Sequence, residues 1–142
     1  MNKRQKIENN KADDNTQENI IIAHDVIEIP DGRIDGILTD IQRRRSELYD
    51  YVDLYFEIEI DGEKTNIKTG YPANISAKSG LGSFIEMCGF DIVPDKEYKL
   101  TTLKQALYGK IFSFNVIHES TVKGKFARIV NSSIEYHPKG EN

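Results

Sequence analysis

The sequence has 142 residues, of which 38% are apolar and 30% are charged, and its formal net charge is -4 at pH 7. This length fits one domain with a core of its own, and the negative balance argues against a protein that coats nucleic acid through overall charge. No apolar run approaches the roughly 20 residues of a membrane span, and the N-terminus lacks the apolar core of a signal peptide, so we expect a cytoplasmic protein. The single cysteine, Cys88, cannot form an internal disulfide.

The chain begins with a polar stretch. Residues 1–19 carry almost no large apolar side chains and cannot bury enough surface to offset the entropy lost on ordering. We predict a disordered N-terminal arm at residues 1–19, a single domain at residues 20–137 and a C-terminal tail at residues 138–142. Residues 20–29 are apolar and are predicted to form either a short strand or a segment packed on the domain.

Two strands are predicted next, joined by a charged connector. The first covers residues 33–43 and contains Gly36, which is typical of a bend or bulge. The connector at residues 42–48 includes three consecutive arginines. The second strand, residues 49–60, has the longest alternation of apolar and polar residues in the sequence, which indicates one buried face. The parity predicted to face the core is Val52, Leu54, Phe56, Ile58 and Ile60. The opposite parity is Tyr49, Tyr51, Asp53, Tyr55, Glu57 and Glu59.

A hairpin and two short helices are predicted to follow. Asp61 and Gly62 suit a tight turn into a third strand at residues 64–71. Apolar residues at helical spacing in SGLGSFIEMCGF predict a helix, with Ser76 or Ser79 as its N-cap and Gly89 as its end. The leucines of LTTLKQAL predict a second helix. A fourth strand at residues 110–118, a hairpin loop at 119–125 and a last strand at 126–136 complete the chain.

The order β-β-β-α-β-β is that of a mainly β, five-stranded Greek-key barrel of the OB type, with one or two short helices between strands three and four. The segments GYPANISAKSGLGSFIEMCGF, LYGKIFSF and FARIVNSSIEYHP resemble those of small phage and mobile-element proteins grouped with single-stranded DNA binding proteins. The resemblance implies an OB-fold accessory protein of DNA replication or recombination.

An OB-type fold binds ligands on the outer face of strands two and three, bordered by the loops between strands one and two and between strands four and five. Both of these loops are basic in this sequence, and the outer face of strand two carries tyrosines on which bases can stack. We therefore predict binding of single-stranded nucleic acid, with DNA favoured. The predicted stacking residues are Tyr49, Tyr51 and Tyr55. The predicted phosphate contacts are Arg43, Arg44, Arg45, Lys68, Lys123, Lys125 and Arg128.

Another interpretation of the same residues stays open. An arginine run is usually a solvated loop, tyrosines beside acids also pack across strands, and Asp53, Glu57 and Glu59 would repel phosphates. The protein would then be an OB-like interaction or self-assembly module that docks a protein partner or a second copy, since Tyr and Arg are common in interfaces.

No enzyme, cofactor or metal site is predicted. His24, His118 and His137 lie in separate predicted elements without metal-ligand spacing. Cys88 is predicted to be a core residue, and SAKSGLGS lacks the spacing of a phosphate-binding loop.

Overall fold

The computed structural model describes residue 21 and residues 28–138, and this part of the chain is mainly β. It contains an open sheet of six antiparallel strands and two short helices. The strands are β1 (Gly32–Arg45), β2 (Asp50–Ile60), β3 (Glu63–Pro72), β4 (Ile111–Thr121), β5 (Gly124–Ile129) and β6 (Glu135–Tyr136). The helices are α1 (Gly80–Met87) and α2 (Leu100–Leu107). The predicted arm at residues 1–19, most of residues 20–29 and most of the predicted tail lie outside the described residues.

The strand order is β3-β2-β1-β4-β5, with β6 paired to β4. The first strand is shared, because residues 32–37 pair with β4 and residues 37–45 pair with β2. Gly36 lies close to this change of partner, and a Cβ there would come within 3.0 Å of the Phe114 ring and 3.1 Å of Phe56 Cβ. The register shift itself falls between Leu38 and Asp40. Gly36 thus permits close packing over the core, and the irregularity predicted for β1 lies a few residues further along.

The core lies under the predicted apolar parity of β2. Val52, Leu54, Phe56 and Ile58 are all buried, and the Phe56 ring contacts the rings of Phe112 and Phe114 in β4. Burying this face is the main favourable contribution to the folding of such a sheet. The alternation in the sequence therefore predicted the inner face of β2 correctly.

The turn and both helices also follow the sequence. Asp61 and Gly62 have φ values of 52° and 84°, as a tight hairpin turn requires. Ser79 Oγ accepts a hydrogen bond from the Gly82 backbone N–H at 2.9 Å and is the N-cap of α1. Gly89 follows α1 with a φ of 96°, which favours glycine.

Three predicted boundaries are wrong. The three arginines predicted in a connector belong to β1, because they continue the ladder opposite β2 as far as Asp50. The predicted hairpin loop at 119–125 is only a two-residue turn, since β4 runs to Thr121 and β5 begins at Gly124.

The predicted last strand is also interrupted, by a 3₁₀ turn at Asn131–Ser133 between β5 and β6. Polar side chains explain the break. Asn131 bonds to Thr69 Oγ1 and to the Gly70 carbonyl of β3, while Ser133 Oγ accepts from the Asn115 backbone N–H. The segment after β5 is therefore held against β3 by side chains and leaves the strand ladder.

Candidate nucleic-acid interface

The outer face of the sheet is centred on an ion pair between β1 and β2. Arg44 donates from Nε to Asp53 Oδ2 at 2.8 Å and from Nη2 to Asp53 Oδ1 at 3.1 Å. The Asp53 side chain is only 3% exposed, whereas that of Arg44 is 44% exposed. The bond from Arg44 holds the pKa of Asp53 below its ordinary value, although burial acts in the opposite direction. The pair is therefore ionised near neutral pH and fixes the plane of the guanidinium.

Two tyrosines pack on this guanidinium. The Cζ atom of Arg44 lies 5.2 Å from the ring centroid of Tyr49 and 5.1 Å from that of Tyr51. The two rings are 6.3 Å apart, centroid to centroid, in an edge-to-face arrangement. These distances are those of cation–π contacts. Arg44 thus joins the buried carboxylate to two aromatic rings.

The third tyrosine has its own cation on β3. Lys68 Nζ lies 5.6 Å from the Tyr55 ring centroid and 3.7 Å from Asp53 Oδ2. Lys68 and Tyr55 are direct cross-strand partners. Asp53 consequently contacts both cations of the face, and each cation contacts at least one tyrosine. We call Arg44, Tyr49, Tyr51, Asp53, Tyr55 and Lys68 the tyrosine face.

Gly70 of β3 gives Asp53 its room. The two residues are cross-strand partners, and a Cβ added to Gly70 would lie 2.5 Å from Asp53 Oδ1 and 3.6 Å from Arg44 Nη2. Asp53 and Arg44, whose atoms this Cβ would approach, are the two partners of the central ion pair. A side chain at this position would therefore displace the carboxylate that holds the two cations.

The other two arginines of the run do not join this face. Strand alternation places Arg43 and Arg45 on the side opposite Arg44. Arg43 forms a two-pronged pair with Asp50, with both N···O distances at 2.6 Å, and this bond lowers the pKa of Asp50. Arg45 forms no ion pair with any side chain in the described part of the chain. The three arginines are consecutive in sequence, but the alternation of β1 places Arg44 on one side of the sheet and the other two on the opposite side.

The second basic group, the hairpin lysines Lys123 and Lys125, lies near the far end of β2. Arg45 is opposite Asp50, the first residue of β2. Lys125 lines a cavity of about 730 Å³ together with Ile60, the last residue of β2, and Asp61 in the turn that follows. Lys123 is in the exposed turn between β4 and β5, and Arg128 is paired with Glu119 at 3.0 Å. The two basic groups thus sit at opposite ends of the strand that carries the tyrosines.

The acids of β2 are divided in the same way. Asp53 is buried and paired within the tyrosine face, whereas Glu57 and Glu59 lie towards the Asp61 turn, opposite Asn66 and Lys64. Glu57 and Glu59 form no ion pair within the described residues, so the carboxylates of β2 without such a partner lie away from Arg44. This distribution favours the tyrosine end for an anionic ligand.

A second cluster of polar side chains was not predicted from the sequence. Arg33 of β1 donates to Ser113 Oγ at 2.9 Å and to Glu135 Oε1 at 2.6 Å, and His137 Nε2 lies 2.7 Å from Ser113 Oγ. This group ties β6 to β1 and β4. Arg33 and Ser113 are distant in sequence from each other and from Glu135 and His137, so no local motif indicates this cluster.

The described residues contain no group of three or more His, Cys, Asp or Glu arranged to hold a metal ion. Cys88 is buried in the core, as predicted. Within the same residues, neither helix has the length and apolar character required to cross a membrane.

Comparison with known proteins leaves the geometry as the guide to function, because no family model matches the chain and no curated protein sequence matches it significantly.

Proposed function

We propose that the protein is a cytoplasmic single-stranded DNA binding protein of the phage or mobile-element type, an accessory factor of replication or recombination. The observation that carries the proposal is the tyrosine face, where two cations and three aromatic rings are held together by one buried carboxylate. A site for single-stranded nucleic acid combines both features, since cations contact the phosphates and aromatic rings stack on the bases.

The energetics suit a binder without sequence preference. Tyr49 is 42% exposed, and Tyr51 and Tyr55 are half-buried, so each ring keeps part of its surface for a ligand. A base stacked on an aromatic side chain contributes roughly 1 to 3 kcal/mol, whatever the base. Two stacked bases together with a few phosphate contacts would then give measurable binding at low salt.

We also propose that the open sheet belongs to an OB-type barrel of five main strands. The shared strand β1 pairs with both β2 and β4, as in that architecture. The bonds from Asn131 to Thr69 and Gly70 draw the end of β5 towards β3, the two strands whose contact would close the barrel.

Binding of a fluorescent dT oligomer at about 50 mM salt tests the function, because phosphate contacts are strongest at low salt. We expect saturable binding that weakens as salt rises and is lost in a Tyr51→Ala, Tyr55→Ala double variant. Tyr108→Ala is the matched control, since Tyr108 is 61% exposed but lies outside the tyrosine face. Absence of any dT binding by the folded wild-type protein would refute the proposal.

A protein-interaction or self-assembly module is the second candidate, and the β4–β5 hairpin favours it. Ile117, Val122 and Phe126 are exposed there, with Val122 fully so. Exposed apolar side chains of this kind are common in interfaces. Under this function the Tyr51→Ala, Tyr55→Ala protein would keep its partner or its oligomeric mass, whereas a Val122→Ser, Phe126→Ser variant would lose it.

A further inference from the structure

The position of Asp53 gives its negative charge an unexpected role. A carboxylate on a surface for DNA normally weakens binding by repelling phosphates. Asp53, however, is almost completely buried, and its two oxygens are directed at Arg44 and Lys68. Its charge is therefore largely compensated inside the protein before any ligand arrives.

The two cations would have little to hold them without this carboxylate. Arg44 and Lys68 are 44% and 52% exposed, and long exposed side chains lose conformational entropy when they are fixed. Asp53 offsets this loss by accepting two hydrogen bonds from Arg44 and by pairing with Lys68 at 3.7 Å, and through Arg44 it also sets the positions of Tyr49 and Tyr51. Gly70 keeps the opposite strand clear of the carboxylate.

We propose that Asp53 is a positioning residue of the nucleic-acid site, which prearranges Arg44, Lys68 and the tyrosines, and that Gly70 is required because it leaves space for the Asp53 carboxylate. This inference rests on the function proposed above. It predicts that removal of a negative charge weakens binding to a polyanion, the opposite of the simple electrostatic expectation. Prearranged side chains bind more tightly because less entropy is lost on association.

The test compares Asp53→Asn with Asp50→Asn. Asp50 is the matched control because it also forms a two-pronged pair with an arginine, Arg43, but on the opposite side of the strand and with a 38% exposed side chain. We expect Asp53→Asn to weaken dT15 binding about tenfold, and Asp50→Asn to change it less than about threefold, since the latter pair is exposed. Equal or tighter binding by a folded Asp53→Asn protein would overturn the proposal.

A double-mutant cycle separates positioning from a general loss of structure. If Asp53 acts through Arg44, the effect of Asp53→Asn on affinity largely disappears in an Arg44→Gln background, whereas a global effect would persist. Gly70→Ala provides a second route, because it displaces the carboxylate without changing any charge. We expect it to weaken dT15 binding to a similar extent, and unchanged affinity would contradict the role given to Gly70.

A readout without DNA keeps this inference distinct from the proposed function. In the free protein, the Nε–H of Arg44 is bonded to Asp53 and should give a slowly exchanging NMR signal, assigned through its loss in Arg44→Lys. The signal should be lost in Asp53→Asn and kept in Asp50→Asn. Its persistence in Asp53→Asn refutes positioning, whereas a wild-type protein that shows the signal but binds no dT refutes only the proposed function.

Discussion

The separation of the two basic groups predicts how binding depends on the length of the oligonucleotide. The 11 residues of β2 span about 33 Å at a rise of roughly 3.3 Å per residue, and the arginine end and the Lys125 end lie at its two termini. Phosphates along one strand of duplex DNA are spaced about 3.4 Å apart along the axis, and at this spacing dT5 covers about 15 Å and dT15 about 50 Å. Only the longer oligonucleotide reaches both ends.

The perturbation is a Lys123→Ala, Lys125→Ala double variant. These two lysines have no ion pair within the described residues, whereas nearby Arg128 is paired with Glu119. Each phosphate contact to a single strand contributes about -0.7 to the slope of log K against log salt, so loss of both lysines should reduce the dT15 slope by about 1.4. The dT5 slope should not change, because dT5 is expected at the tyrosine face.

Fluorescence anisotropy from 50 to 300 mM salt gives both slopes. Lys96→Ala, Lys99→Ala is the control, since these lysines line a different cavity, beside α2. An unchanged dT15 slope in the Lys123, Lys125 variant would show that DNA does not reach the hairpin. An altered dT5 slope would show that the hairpin lies beside the tyrosine face, and either result would refute the two-ended arrangement.

Three further predictions concern the stability of the fold and the ionisation of Asp53. Phe56→Ala should lower the free energy of unfolding in urea by about 3 to 5 kcal/mol, because the ring is completely buried against two others, whereas exposed Tyr108→Ala should change it little. Ser79→Ala should cost about 1 kcal/mol through loss of the α1 cap, and exposed Ser83→Ala less than half of that. The lowered pKa of Asp53 means that its pairing stabilises the fold above pH 4 and that this stabilisation disappears as the pH falls below 3.8 through the folded-state pKa. Urea melts from pH 7 to pH 2 should therefore show a smaller loss for Asp53→Asn than for the wild type, and parallel curves would contradict the assignment.

Patterns within one element predicted the structure best. The leucine spacing of LTTLKQAL gave the bounds of α2, and the alternation from Val52 to Ile58 gave the buried face of β2, because both depend on a period that the local backbone fixes. Predictions of the residue at which an element ends were less accurate. The charge of Arg43 to Arg45 predicts a connector, but Asp50 and Asp53 on the neighbouring strand neutralise two of the arginines and allow β1 to continue.

The tyrosine face shows which part of a site can be derived from a sequence. Once Asp61 and Gly62 are identified as a two-residue turn, counting back along both strands places Tyr55 opposite Lys68 and Asp53 opposite Gly70. This count places the Asp53 carboxylate opposite Gly70, which has no side chain, and close to Lys68. A carboxylate in these surroundings indicates a buried charge. The contribution of β1 could not be counted in this way, because it depends on Arg44 remaining in the strand and on the register shift between Leu38 and Asp40. The ion pair that organises the face consequently becomes visible only when the third strand is in place.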